Sequence, residues 1–137
     1  MESTLKEIES ILNTVQLYQD GHYYLDIQKL KQAFHPKANI VGYYKGEQTF
    51  DSRDQYIEIL TSEKSSYEIG EPSYIKLLSL DKTDTTVVVK IKSLISGIQY
   101  FSQLSMLKVE DKWQIINGLF HAEEQKNSIE VDNNHSQ

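Results

Sequence analysis

Three runs in the second half of the chain alternate apolar and polar residues, and short turns separate them: Thr85 to Ile95, Ile98 to Val109, and Trp113 to His121. Ser96-Gly97 joins the first to the second, and Glu110-Asp111-Lys112 joins the second to the third. Val87, Val89 and Ile91 alternate with Val88, Lys90 and Lys92, a period of two that puts one face in a core and the other in water. Strands joined this tightly pair antiparallel, so the chain must accommodate a long meander. Ser73 to Leu80, closed by Asp81-Lys82-Thr83-Asp84, reads as a strand leading into it. Ala38 to Tyr44 and Glu47 to Asp51 flank Lys45-Gly46, the signal of a tight hairpin.

Helical spacing is confined to the first half. Leu5, Ile8, Leu12 and Val15, with Ile11 and Tyr18 alongside, predict an amphipathic helix from about Ser3 to Gln19, ended by Asp20-Gly21. Asp26 can cap a second helix that buries Ile27, Leu30, Ala33 and Phe34 before Pro36 stops it. Ser52-Arg53-Asp54-Gln55 is a capping box, in which serine and glutamine each satisfy an orphan backbone N–H, and the helix it opens turns Tyr56, Ile57 and Leu60 inward. Helices first and long antiparallel strands last define an α+β domain: three N-terminal helices packed on a strongly curved, mostly antiparallel sheet with a C-terminal meander. That cone-shaped domain spans residues 1–122, and the polar residues 123–137 read as a disordered tail. A bent sheet with helices on one face encloses a cavity, and function is sought there.

Composition excludes several chemistries. At 137 residues, with 39% hydrophobic and 25% charged residues, the chain has the size and balance of one globular domain. Having no cysteine, it can build no disulfide, thiolate metal site or thiol nucleophile. The net charge of −6 disfavours nucleic acid or an anionic membrane as partner. No stretch approaches the ~18 apolar residues of a membrane span. Met1-Glu2-Ser3-Thr4-Leu5-Lys6-Glu7 has acids where a secretion signal needs bases, so a cytoplasmic location is expected.

Several segments together resemble the putative lumazine-binding branch of the nuclear transport factor two-like superfamily, whose relatives include ketosteroid isomerases, scytalone dehydratase and polyketide cyclases. They are Tyr18-Gln19-Asp20-Gly21, Asp26, Phe34-His35-Pro36-Lys37-Ala38, Ser52-Arg53-Asp54-Gln55-Tyr56, and Leu107-Lys108-Val109 with Trp113-Gln114-Ile115-Ile116-Asn117, in the family's order over about residues 5 to 121. The resemblance implies a cone with a pocket at its open end and dimerisation through the outer sheet face. Three positions depart from the family pattern: Lys37 where an acid often follows the Phe-His-Pro triplet, Leu25 where glycine is common, and Ser102 where an aspartate commonly points into the cone. That aspartate would be the base of an isomerase-like mechanism.

The three long strands contain no Asp or Glu, so no acid is expected on the cavity wall. His35, at the end of the second helix, and His121, ending the last strand on the face of Trp113, Ile115, Asn117 and Leu119, are the residues left for proton transfer. His22 and His135 read as exposed, and no histidine pair has metal-ligand spacing. Arg53, the only arginine, reads as a solvent-facing or ion-paired side chain. Nine tyrosines, four phenylalanines and one tryptophan are the informative excess. Tyr18, Phe34, Tyr56, Tyr100, Met106 and Trp113 come from different elements and are expected to converge on the cavity, with His35, Ser102 and Asn117 as polar companions. One face of the fifth strand, Tyr100-Ser102-Leu104-Met106 or Phe101-Gln103-Ser105-Leu107, must line it. The resulting expectation is a homodimeric module that binds a small apolar or aromatic molecule, with no cofactor, metal, nucleic acid or membrane involved. Its rival is an isomerase- or dehydratase-like enzyme using His35 or His121 as base and Tyr18, Tyr56 or Tyr100 as donor to a developing oxyanion.

Overall fold

Helix α1 (Thr4–Tyr24) turns Ile11, Val15 and Tyr18 into the core along one stripe. The computed structural model describes residues 4–62, 68 and 70–124. The helix does not end at Asp20-Gly21 as the sequence suggested, but runs on for another turn. Gly21 is buried inside it, and a Cβ there would lie 2.7 Å from Leu30 Cγ and Cδ2. The glycine thus serves the close approach of α2 (Ile27–Ala33) to α1 and leaves helix continuity intact. Termination falls to Leu25, at φ 51°: its N–H donates to His22 O (3.4 Å) and the Asp26 N–H donates to Gly21 O (2.9 Å). This is a Schellman stop with leucine in the left-handed position glycine usually takes, at a cost of about 1 kcal/mol. Asp26 then caps α2, its carboxylate accepting from the Lys29 N–H.

Strands β1 (Phe34–Tyr44) and β2 (Glu47–Ser52) form the hairpin expected around Lys45-Gly46, both of which take positive φ as a type I′ turn requires. The capping box of α3 (Arg53–Thr61) is present: Gln55 N–H donates to Ser52 Oγ and Ser52 N–H to Gln55 Oε1. The meander follows as β3 (Tyr74–Thr83), β4 (Thr86–Ile95), β5 (Ile98–Val109) and β6 (Lys112–Glu124). The six strands are ordered β2-β1-β6-β5-β4-β3, antiparallel throughout except where β1 runs parallel to β6. Three helices on one face of a mostly antiparallel sheet make this the expected α+β architecture. Strand β6 includes Glu123 and Glu124, which the sequence reading gave to the tail; the rest of that tail, residues 125–137 with His135, lies outside the described residues, as do residues 1–3.

Two local features decide which side chains face the helices. Ser105 pairs with Asn117 but Met106 pairs with Ile115, so Ile116 is an extra residue and β6 carries a bulge. Before it Trp113 and Ile115 are buried; after it the inward set becomes Gly118, Phe120 and Ala122. Gly42 sits beside Phe120 in the parallel ladder, and a Cβ there would fall 1.9 Å from the Phe120 carbonyl oxygen. On β5 the inward row is Tyr100, Ser102, Leu104 and Met106, and on β4 it includes Val87, Val89 and Ile91. Among the described residues no helix is long and apolar enough to cross a membrane.

Candidate functional site

The space between sheet and helices is narrow at one end and open at the other. At the narrow end, under α1, Met106, Trp113 and Ile115 are buried, and Thr14 Oγ1 donates to the Trp113 carbonyl (2.6 Å). Glu7 closes this end, its carboxylate accepting from Lys108 Nζ (3.1 Å) and Trp113 Nε1 (3.4 Å) with Lys82 Nζ at 3.9 Å. The Lys108 hydrogen bond is the main reason the Glu7 carboxyl lies below its ordinary pKa, against the opposing pull of burial. Further along, Tyr18, Phe34, Ile40, Tyr56, Tyr100, Ser102, Leu104, Gly118 and Phe120 surround a void of about 10 Å³, room for about one water. This gives way to a mouth of about 140 Å³ lined by Tyr44, Thr49, Asp51, Tyr56, Ile59, Leu60, Tyr100 and Phe120.

Six aromatic rings give the cavity its walls, Tyr18–Phe34 and Phe34–Tyr56 packed edge to face and the other two pairs tilted. Ring centroids are 5.9 Å apart for Tyr18–Phe34, 6.0 Å for Phe34–Tyr56, 6.1 Å for Tyr100–Phe120 and 6.5 Å for Tyr44–Tyr100. Burial pushes the Tyr18 phenol above its ordinary pKa, a trend the Ser102 hydroxyl beside it opposes. Ser102 is 5% exposed, yet its Oγ has no hydrogen bond of acceptable geometry among the described residues. Thr49 Oγ1 at the mouth is likewise unpartnered. Buried hydroxyls in that state are uncommon, because each forfeits the hydrogen bonds water would have made.

The sequence reading placed His22 in solvent, because it ended α1 too early; in the extended helix His22 is 5% exposed. Its Nδ1 lies 2.7 Å from the Tyr18 carbonyl oxygen and its Nε2 2.5 Å from Tyr56 Oη. A carbonyl can only accept, so Nδ1 carries the proton. Burial drives the ring's pKa down to about 4, partly offset by that backbone hydrogen bond, so the ring is neutral and Nε2 is bare. Tyr56 therefore donates its hydroxyl proton to His22. This removes Tyr56 from the tyrosines able to donate to an oxyanion in the cavity.

Asp51 overturns the expectation that no carboxylate reaches the cavity. The three alternating runs, Thr85 to Ile95, Ile98 to Val109 and Trp113 to His121, carry no acid, whereas Asp51 is on the short β2, opposite the buried Ile40 and on the same face. Its position was legible: a two-residue turn pairs Tyr44 with Glu47, and counting outward pairs Gly42 with Thr49 and Ile40 with Asp51. Among the described residues Asp51 has no salt-bridge partner.

Of the residues singled out in the sequence, Tyr18, Phe34, Tyr56, Tyr100 and Ser102 border the void or the mouth. Met106 and Trp113 are buried at the narrow end. His35 is half-buried, its Nδ1 accepting from the Lys37 N–H, and does not line the cavity. The bulge at Ile116 places Asn117 and His121 on the outer face, where Asn117 bonds to Asn39 and His121 Nε2 lies 3.2 Å from Glu123. Arg53 pairs with Asp54 at 3.0 Å. No cluster of potential metal ligands occurs among the described residues.

Comparison with known proteins agrees with this architecture. Residues 6–121 match the family model described as "Putative lumazine-binding", and the chain belongs to that family. A curated relative, "Aldolase FrzH" of Cladobotryum sp, is 24% identical over 119 residues, covering 87% of this chain and 94% of the relative. Solved structures of nuclear transport factor two-like proteins of unknown function from Silicibacter pomeroyi and Shewanella baltica each superpose with a TM-score of 0.80 at 20% identity. They cover 89% and 91% of this chain and the whole of theirs. A third, from Methylobacillus flagellatus, gives 0.77 at 17% identity over 89% of this chain and 96% of its own.

The buried His22 makes stability depend on pH. Its folded pKa of about 4 lies below the unfolded value of 6.5, so the unfolded chain binds the proton more tightly. The resulting stabilisation is complete above pH ~6.5 and is lost as pH falls toward ~4, at about 1.4 kcal/mol per unit. Urea denaturation of the wild type between pH ~6.5 and ~5 should therefore show a loss of about 2 kcal/mol that the His22→Phe variant, though less stable overall, lacks.

Proposed function

We propose that this member of the putative lumazine-binding family binds a small, flat, largely apolar molecule at the open end of its cone. The observation that carries the reading is the convergence of Tyr44, Tyr56, Tyr100 and Phe120, from four separate elements, on a mouth of about 140 Å³. A volume of that order holds one aromatic ring, and the open side leaves room for substituents. The unpartnered hydroxyls of Ser102 and Thr49 supply hydrogen-bonding positions that a bound molecule would satisfy.

A second reading has its own support. Asp51 at the mouth is a carboxylate positioned to remove a proton, Tyr100 is a phenol beside the same space, and a relative is named an aldolase. Together they fit abstraction of a proton next to a carbonyl, with the enolate oxygen accepting from Tyr100. The base in this version is Asp51, because His35 and His121 both lie away from the cavity.

The protein is also proposed to pair with a second copy through its outer sheet face. Phe101, Leu119 and Leu78, 40%, 48% and 50% exposed, surround a shallow depression there that His121 and Lys90 border.

These readings separate experimentally. A thermal-shift screen of flat heteroaromatics, steroids and polyketide-like compounds should give a binder that raises Tm by about 5–10 °C at ~100 times its Kd; a screen without any shift counts against binding. Small ketones incubated with the protein in D2O exchange their α-protons under the second reading, and Asp51→Asn abolishes the exchange; no exchange above buffer removes that reading. Light scattering should give the mass of a dimer for the wild type and of a monomer for Phe101→Glu.

A further inference from the structure

The mouth of the cavity has an electrostatic character that apolarity alone does not describe. Four of its eight lining residues are aromatic, and the ionisable one is Asp51, which has no cationic partner among the described residues. Aromatic faces carry negative potential and attract cations. Tyr56 does not offset this as a hydrogen-bond donor, because its proton is engaged by His22. Thr49, on the same strand face as Asp51, contributes a hydroxyl that can accept as well as donate. The chain's own cation shows the attraction at work: Lys45 Nζ lies 5.6 Å from the Tyr44 ring centroid, tied to Glu124 at 3.4 Å, and is not among the residues lining the mouth.

We infer that the mouth selects a small organic cation, a primary or substituted ammonium on an apolar or aromatic body, with its charged head at Asp51 and against the faces of Tyr44 and Tyr100. This rests on the binding reading above and narrows it. The site asks for hydrogen-bond donors and positive charge on the ligand, whereas a purely apolar or anionic molecule leaves the Asp51 carboxylate facing a surface that cannot compensate its partial desolvation. The overall charge of −6 works in the same direction, since it concentrates cations near the protein.

Benzylammonium chloride and benzyl alcohol have the same ring and the same number of heavy atoms but differ in charge, so they separate the two claims. Each is titrated at neutral pH into the full-length protein, and the tyrosine ring resonances are followed by NMR. Benzylammonium is expected to bind on the order of tenfold more tightly than benzyl alcohol. Asp51→Asn should reduce that preference to within about twofold by weakening benzylammonium more than the alcohol. Tyr44→Leu should weaken benzylammonium more than the alcohol, and it carries the test if Asp51→Asn proves unfolded by its thermal melt. Equal binding of the two probes overturns the cation inference and leaves the binding module standing. A preference that survives in folded Asp51→Asn overturns it as well. Failure of both probes to perturb any mouth resonance overturns the inference and the binding reading together.

Discussion

A single extra residue in β6 sets the plan of the molecule. With Ile116 bulged out of the ladder against β5, the strand changes which of its faces looks at the helices, and it does so where the closed end of the cone gives way to the open end. Trp113 and Ile115, before the bulge, are buried large side chains beneath α1. Beyond it the inward sequence is Gly118, Phe120, Ala122, two of them too small to reach across. The mouth exists because the strand delivers small residues and one ring there. A regular strand would have delivered Asn117, Leu119 and His121 instead.

The same residue explains where reading the sequence succeeded and where it stopped. Element order, the capping box at Ser52, the Asp26 cap and the turns at Lys45-Gly46 and Ser96-Gly97 are local signals, each decided within a few residues, and the fold followed from them. The bulge is not decided locally: Ile116 repeats the apolar Ile115 before it, and the pairing with β5 is what distinguishes the two. His121 and Asn117 were consequently assigned to the wrong face. His22 was missed for a related reason. Asp20-Gly21 has the composition of a helix stop, but the deciding fact is tertiary, the approach of Leu30, and the real stop uses a leucine that propensity would never choose. Asp51 was within reach, since hairpin register fixes its face once Ile40 is taken as buried.

Proton positions, more than residue identities, define the chemistry of the site. Tyr18, Tyr56 and Tyr100 look interchangeable in a sequence, yet the backbone carbonyl of Tyr18 fixes the His22 tautomer and through it the direction of the Tyr56 hydroxyl. One buried imidazole thus turns a nominal donor into an acceptor. The position at which the family commonly has an aspartate holds Ser102, and the acid that does face the cavity comes instead from the opposite edge of the sheet. The carboxylate of this chain thus lines the rim of the cavity and not its deep wall.

That rim belongs in part to an edge strand. β2 is at the end of the sheet, hydrogen-bonded to β1 alone, and is otherwise backed by α3. β5 and β6, across the cavity from it, are each laddered on both sides. Separating an edge strand breaks fewer contacts than disturbing an interior one, so displacing the segment that carries Thr49 and Asp51 costs less than displacing β5 or β6. Opening of the mouth therefore costs least on the β2 side, while β5 and β6 hold the opposing wall in register.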